Sequence, residues 1–419
     1  MRYTAALFCL VVGVSLRAEE WPQFRGPTGQ GHSTEVGLPL EWSESRNIAW
    51  KVPVDGSGWS SPVVAGGRVW LTAARPSGRS SVSLRAMAFD VATGRVVVDT
   101  EVFKVSTATA LNPKNSRASP TPIVDGDRVY VHFGPDGTAA LTTAGAILWT
   151  KKLPYEPQHG GGGSPALYRD LLIVNCDGNG DEAYVIALDT RTGQTRWRKD
   201  RRRPAAQAYS TPLIIRSGDR DLAISVGAFR TSAYDPNSGD EIWRVGYDDG
   251  FSNVPRPVFG AGLVFIATGF NSPMLIAVRP DGRGDVTRSH VAWTVSRGAP
   301  YTPSPLLVET RLYYVSDTGV LTCADAASGR ILWQQRLEGN YSASPIYADG
   351  RIYYSSEEGV TTVIGGGPTF QKLAVNTLDE PTLASIAVSG GAMFIRSEGH
   401  LYKVAKDITP GPARPGLRQ

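Results

Sequence analysis

Polar and apolar positions alternate along this chain in short bursts and do not settle into the three-to-four spacing of an amphipathic helix. Runs of about five β-branched and aromatic residues, such as "VYVHF", "LYYVS" and "IYYSS", sit between turn signals such as "VDGDR", "AGGR" and "YADGR". These runs predict strands. Two phrases set their order. The first is a small residue, a proline and two apolar residues, with prolines at Pro62, Pro122, Pro165, Pro212, Pro257, Pro305 and Pro345, and with Ile386 in the proline's place in an eighth copy. The second places Asp eight residues and Gly four residues before Trp: Asp189, Gly193 and Trp197; Asp235, Gly239 and Trp243; Asp325, Gly329 and Trp333.

The Pro phrases recur about 40 to 60 residues apart, with four predicted strands in each unit. Four short antiparallel strands per unit predict a propeller blade, and eight units predict an all-β, eight-bladed β-propeller of four-stranded antiparallel blades. In this reading the Asp phrase is the hairpin between third and fourth strands. Asp bonds backbone N–H groups of its own turn, and Gly supplies the left-handed conformation that closes it. Trp stands on the outer strand and wedges between neighbouring blades. The repeat decays in places: Val98 replaces the first Trp, Thr142 replaces an Asp, "PDGRGDVTRSHV" is inserted before Trp293, and "IGGGPTF" replaces the seventh phrase. The last unit ends one strand short at "HLYKVAK". The orphan strand "NIAWKVPV", with Trp50 in the wedge position, is expected to complete it and close the ring. The propeller then occupies residues 47–406, with a leader segment over 19–46 and a disordered tail over 407–419.

The first residues break the pattern. Arg2, the apolar "AALFCLVVGVSL" and the small Ala18 predict a signal peptide over residues 1–18 and hence an exported protein, periplasmic or extracellular. No apolar run is long enough to span a membrane. The chain carries 43 basic against 39 acidic side chains, and two of the basic ones, Arg2 and Arg17, leave with the signal, so charge gives no reason to expect nucleic acid. Cys176 and Cys323 lie in apolar runs and read as small buried residues rather than a disulfide pair. A monomer is expected.

The motif A-x-D-x-x-T-G-x-x-x-W, best matched by "ALDTRTGQTRW", resembles the repeat of PQQ-like β-propeller proteins, a family that includes quinoprotein dehydrogenases and the outer-membrane assembly factor BamB. The opening "WPQFRGPTGQGHS" resembles the leader found before this repeat in secreted bacterial proteins. The resemblance implies the eight-bladed fold. It is weak for function, because the shared residues make the wedge between blades and not a site.

Candidate chemistry is sparse. The dehydrogenases that the resemblance brings in use a vicinal disulfide, calcium ligands and a catalytic Asp. This chain has no adjacent cysteines, and no calcium trio maps onto its positions. "DGNGDEAY" (Asp177, Asn179, Asp181) lacks the Gly and Glu of a calcium loop. The glycines of "HGGGGSP" lack the ending of a phosphate loop. The five histidines show no metal spacing, and no Ser stands in a nucleophile-elbow pattern. No catalytic residue, metal or cofactor is therefore assigned. The reading is an exported, non-catalytic propeller that binds a partner or ligand on its funnel face. The alternatives are a PQQ-dependent quinoprotein oxidoreductase with calcium and a divergent cofactor site, and an extracellular carbohydrate-binding propeller. The loops that enter each first strand are the longest and most irregular, which points to them as the functional face. Arg117, Tyr209, Arg256, Tyr301 and Tyr341 stand there and are expected to contact a protein, an anionic group or a carbohydrate.

Overall fold

The structure, a computed structural model, describes residues 18–106, 111–179, 183–201 and 206–406. The signal-peptide expectation, apart from Ala18, and the expectation of a disordered tail lie outside the described residues. Eight antiparallel sheets succeed one another along the chain, each adding strands outward from a short innermost one. Blade three is typical: Ala166–Tyr168, Leu171–Cys176, Tyr184–Asp189 and Thr195–Asp200. In the last blade, Ala387–Ser389, Ala392–Arg396 and His400–Ala405 are completed by Ile48–Pro53, with Trp50 opposite Lys403. The two ends of the propeller therefore share one sheet. The insertion of the fifth blade also has a place. Gly284–Asp285 pairs in parallel with Trp243 and Arg244, which adds a fifth strand to blade four and laces the two blades together. Cys176 and Cys323 are buried and unpaired.

The repeated Asp, Gly and Trp serve the seams between blades. Asp189 accepts from the backbone N–H groups of Arg191 and Thr192, both at 3.0 Å, and Asp235 and Asp325 cap their own turns through Asn237 and Ser328. Gly193 and Gly239 have φ of +70° and +72°, the left-handed region that costs glycine little. A neighbour gives a second reason for glycine. A Cβ on Gly193 would fall 2.6 Å from the ring of Trp149, and one on Gly239 2.6 Å from that of Trp197. Each Trp thus lies flat on the turn of the following blade. Its indole N–H also donates there, from Trp149 to Thr190 at 3.0 Å, Trp197 to Pro236 at 2.9 Å and Trp243 to Pro280 at 3.0 Å. Trp50 makes the same bond to Val91 of the first blade at 3.1 Å, so the closing strand also carries the last seam. Trp333 differs. Its N–H has no partner among the described residues, and its ring meets Phe370 edge-on at 5.4 Å, because the seventh blade lacks the Asp phrase.

The Pro phrase organises the axis. The residue before each proline bears a hydroxyl in every blade but the fifth, and that hydroxyl accepts the corresponding N–H of the preceding blade. Ser61 donates to Thr121 at 3.0 Å, Thr121 to Ser164 at 2.9 Å and Ser164 to Thr211 at 2.9 Å. Beyond the fifth blade, Arg256 donates to Ser304 at 2.9 Å, Ser304 to Ser344 at 3.0 Å, Ser344 to Ser385 at 2.9 Å and Ser385 back to Ser61 at 3.1 Å. A buried N–H on the inner edge of each blade would otherwise have no strand to pair with, and the side chain supplies the missing acceptor. Arg256 has no hydroxyl to offer Thr211. Its guanidinium turns back to the carbonyl of Pro212 at 2.9 Å and inward to that of Phe24 at 2.7 Å.

Phe24 belongs to the leader, which is bound across the axis at the end where first strands turn into second strands. Trp21 exchanges two backbone bonds with Val64 of blade one, at 2.8 and 2.9 Å. The Pro22 carbonyl accepts from Val124 of blade two at 2.9 Å, and the Gly31 carbonyl from Tyr347 of blade seven at 2.7 Å. The Glu35 carboxylate receives Gly390 N and Gly391 N of blade eight at 2.9 and 2.8 Å. Trp21, Arg25, Leu38 and Trp42 are buried. The segment is a plug built into the ring.

Two outcomes test this account of the seams. Replacing Trp197 or Trp243 by Ala should cost about 3–5 kcal/mol in denaturant unfolding, as for large buried aromatics, and unchanged stability in both would contradict the docking role. Deleting residues through Val54 removes both plug and closing strand and should lower Tm sharply. A truncated chain that melts like the parent would contradict closure.

Candidate functional site

The plug makes the channel blind at one end. At the other end lies a cavity of about 740 Å³ with Phe24 among its lining residues. The hydroxyl ring forms its wall: Ser61, Thr121, Ser164, Thr211, Ser304, Ser344 and Ser385 all line it. The loops entering the first strands add Trp59, Tyr209, Phe251 and Tyr301, and the loop between second and third strands of blade five adds Phe270. Neutral amides, Asn112, Asn115, Gln158 and Gln207, stand between them. The glycines of "HGGGGSP" allow the close approach that narrows this wall. A Cβ on Gly162 would lie 3.0 Å from Tyr209 Cβ, and one on Gly163 2.9 Å from the Ser210 carbonyl oxygen.

The aromatic rim is built in contact. Phe251 packs on Phe229 and Phe270 with centroids at 6.0 and 5.6 Å, and Tyr209 tilts against His159 at 6.2 Å. Phe270 and Tyr301 are 54% and 38% exposed, a large outlay of apolar surface at an open mouth. Burial raises the Tyr209 phenol above its usual range, and its hydroxyl has no partner among the described residues. Among the lining residues Lys114 is the one Lys, Arg, Asp or Glu. Its ammonium already pairs with Glu357 of blade seven at 2.7 Å. Burial alone would lower its pKa, but the bond and charge of Glu357 outweigh that and raise it. Asp317 lies just behind the wall. Its carboxylate accepts from Tyr301 N at 3.0 Å, and burial pushes its pKa upward.

The structure divides the residues expected on this face. Tyr209 and Tyr301 line the cavity, whereas Arg117, Arg256 and Tyr341 do not. Arg117 pairs with Asp136 at 3.1 Å. Arg256 is buried in the wall and holds the plug. Tyr341 is buried, with its hydroxyl donating to the Glu338 carbonyl at 3.0 Å. Of the basic run before blade four, Arg201 is buried against Asp177 at 2.8 Å, and Arg202 and Arg203 lie outside the described residues. Asp177, of the candidate calcium loop, is thus held in an ion pair, burial pushing its pKa up to about 6, and Asp181 lies outside the described residues. Sequence reasoning missed Trp59, Phe251, Phe270, the amides and the part played by Phe24. The hydroxyl before each proline was the available signal for the wall. No comparable signal marks the rim aromatics, which stand in irregular loops.

No curated protein matches the chain in sequence. Solved structures match it across most of its length. BamB from Moraxella catarrhalis is 14% identical with a TM-score of 0.61, covering 86% of this chain and 98% of that one. Quinohemoprotein alcohol dehydrogenase from Comamonas testosteroni is 12% identical with a TM-score of 0.64, covering 96% and 82%. A computationally designed protein is 10% identical with a TM-score of 0.60, covering 88% and 100%. At these identities the likeness is one of fold. The sequence model of one family, described as outer membrane protein assembly factor BamB, matches residues 34–159, 88–225 and 283–367, well over half of the chain. On that match the chain belongs to the BamB-like family of PQQ-type propellers.

Proposed function

We propose that this protein is an exported, non-catalytic propeller that holds a protein partner at its funnel, with a neutral segment of the partner inserted among the rim aromatics. The observation that carries the reading is the lining itself: exposed aromatic faces and neutral amides over a wall whose hydroxyls already accept hydrogen bonds around the ring. Such a surface rewards burial of apolar and aromatic groups and offers little to an anion. Tyr209, Tyr301, Phe251 and Phe270 are the proposed contacts, and Arg117 and Arg256 are not among them. Similarity to BamB supports a protein partner by analogy of fold. The aromatic and amide pairing favours a neutral carbohydrate as the second reading.

The same lining argues against the quinone alternative. A carboxylate-bearing quinone with calcium needs cationic and carboxylate partners. The one lysine on the wall is paired, and no group of three His, Cys, Asp or Glu among the described residues is placed to hold a metal. The residues do not fit that cofactor. No described helix is long and apolar enough to cross a membrane.

The test uses the full chain and a Phe270→Ser, Tyr301→Ser double variant, both immobilised and exposed to envelope extract or to neutral oligosaccharides. The parent should retain a protein that the variant loses by about tenfold at unchanged Tm. Retention of oligosaccharide alone would favour the second reading, and equal retention by both chains would remove the funnel from consideration. A saturable absorption change with PQQ and calcium would overturn the non-catalytic reading.

A further inference from the structure

A second cavity, of about 360 Å³, lies between the plug and the innermost strands of blades three to five. Its lining includes Thr28 and Gln30 from the leader, Arg216 from blade four and Arg256 from blade five. Arg256 is 2% exposed, and Arg25, close enough behind it for the two charges to repel, is 1% exposed. Neither meets a carboxylate among the described residues. Arg256 donates to the carbonyls of Phe24 and Pro212, and Arg25 to that of Gln30 at 3.0 Å. Nε of both, and Nη1 of Arg25, have no acceptor among the described residues. The leader glycines make room for these heads. A Cβ on Gly31 would fall 2.8 Å from the Arg25 guanidinium, and one on Gly29 would collide with that of Arg256.

Two like charges buried side by side without a counter-ion are costly, because burial removes hydration that carbonyl dipoles only partly replace. Burial depresses both guanidinium groups to about 9, which leaves them cationic at neutral pH. Elsewhere the chain does pair such a charge, as Arg201 with Asp177. Arg396 is also buried without a carboxylate; its Nη1 donates to oxygens of Ser60 and Thr72, its Nε and Nη2 have no acceptor among the described residues, and it lines neither cavity. At the plug, by contrast, a buried cation without a carboxylate, Arg256, borders a cavity with neutral donors, and Arg25 lies behind it. The Gln30 amide oxygen is tied to Phe259 N at 2.6 Å, which leaves its N–H₂ group and the Thr28 hydroxyl to face a ligand. Arg216, at the exposed edge, is already held by Asp221 at 3.0 Å and can steer an anion inward.

We propose that this plug-side cavity binds a small free oxyanion, a phosphate or a carboxylate, between Arg256 and Arg216, as the counter-ion of the buried arginine pair. It is a site separate from the funnel, and it ties anion binding to seating of the leader. Bound anion should therefore stabilise the whole propeller by mass action. The experiment is calorimetric titration and thermal melting of the full chain with inorganic phosphate and with acetate, against chloride at matched ionic strength. Saturable heat and a raised Tm with at least one of the two oxyanions is expected, and which one responds identifies the group. Arg216→Glu, a change at an exposed position, should weaken binding by about tenfold or more, and Arg256→Gln should abolish it. Should Arg256→Gln fail to fold, Arg216→Glu decides alone. No difference between both oxyanions and chloride, or undiminished binding in Arg216→Glu, would overturn the proposal.

Discussion

The structure depends on how eight separate sheets are held around one axis. Each blade presents an innermost strand whose inner edge has no further strand to pair with, and unpaired N–H groups there would be buried or exposed to adventitious pairing. A hydroxyl at the position before the proline, or before Ile386 in the last blade, answers this for one N–H in every blade but the fourth, and because its donor lies on the adjacent blade the bonds run around the axis. Proline and hydroxyl work together: the proline removes a donor that could not be satisfied, and the residue before it is pushed into the extended conformation. At the periphery the Trp of one blade and the Gly of the next lock most of the seams at the opposite end of the sheets. Inner bonds and outer wedges thus fix each blade to its neighbour at two radii.

The exception at Arg256 explains the rest of the axis. Where the hydroxyl is missing, the guanidinium, a donor only, bonds the Pro212 carbonyl and reaches the leader at Phe24, so the gap in the ring is where the plug is anchored. The plug bonds the inner strands of blades one, two, five and seven, blinds the channel and leaves Phe24 at the base of the funnel. A funnel whose polar wall is already bonded to itself, and whose mouth is aromatic, is suited to neutral and apolar groups. The unpaired charge is on the other side of the plug. Fold similarity alone would not separate these two faces, since natural quinoprotein enzymes, BamB and a designed protein all share the architecture.

The fold was legible because its signals are periodic. Asp189, Gly193 and Trp197 and their counterparts return at fixed spacing, and the missing fourth strand of the last unit pointed directly to Trp50. The site was only partly legible. Tyr209 and Tyr301 follow from their position before the Pro phrases, but position does not reveal which way a side chain turns. Arg117 and Arg256 also stand ahead of their prolines, yet both turn into the wall, one toward Asp136 and the other toward the plug. Phe251 and Phe270 sit in loops without a repeat, where composition carries no register. The leader read as a separate segment because its partners, Val64, Val124 and Tyr347, are distant in sequence and nothing in the chain announces long-range pairing.

The central claim is that a belt of hydroxyl–amide bonds, open only between Thr211 and Arg256, holds the blades at the axis. Native-state hydrogen exchange of the amides of Ser61, Thr121, Ser164, Ser304, Ser344 and Ser385 tests it most directly, because each lies in a wall that water can reach through the funnel. The account predicts protection comparable to that of the central strands of the blades, with opening close to global unfolding. Exchange as fast as that of the rim loops would contradict it.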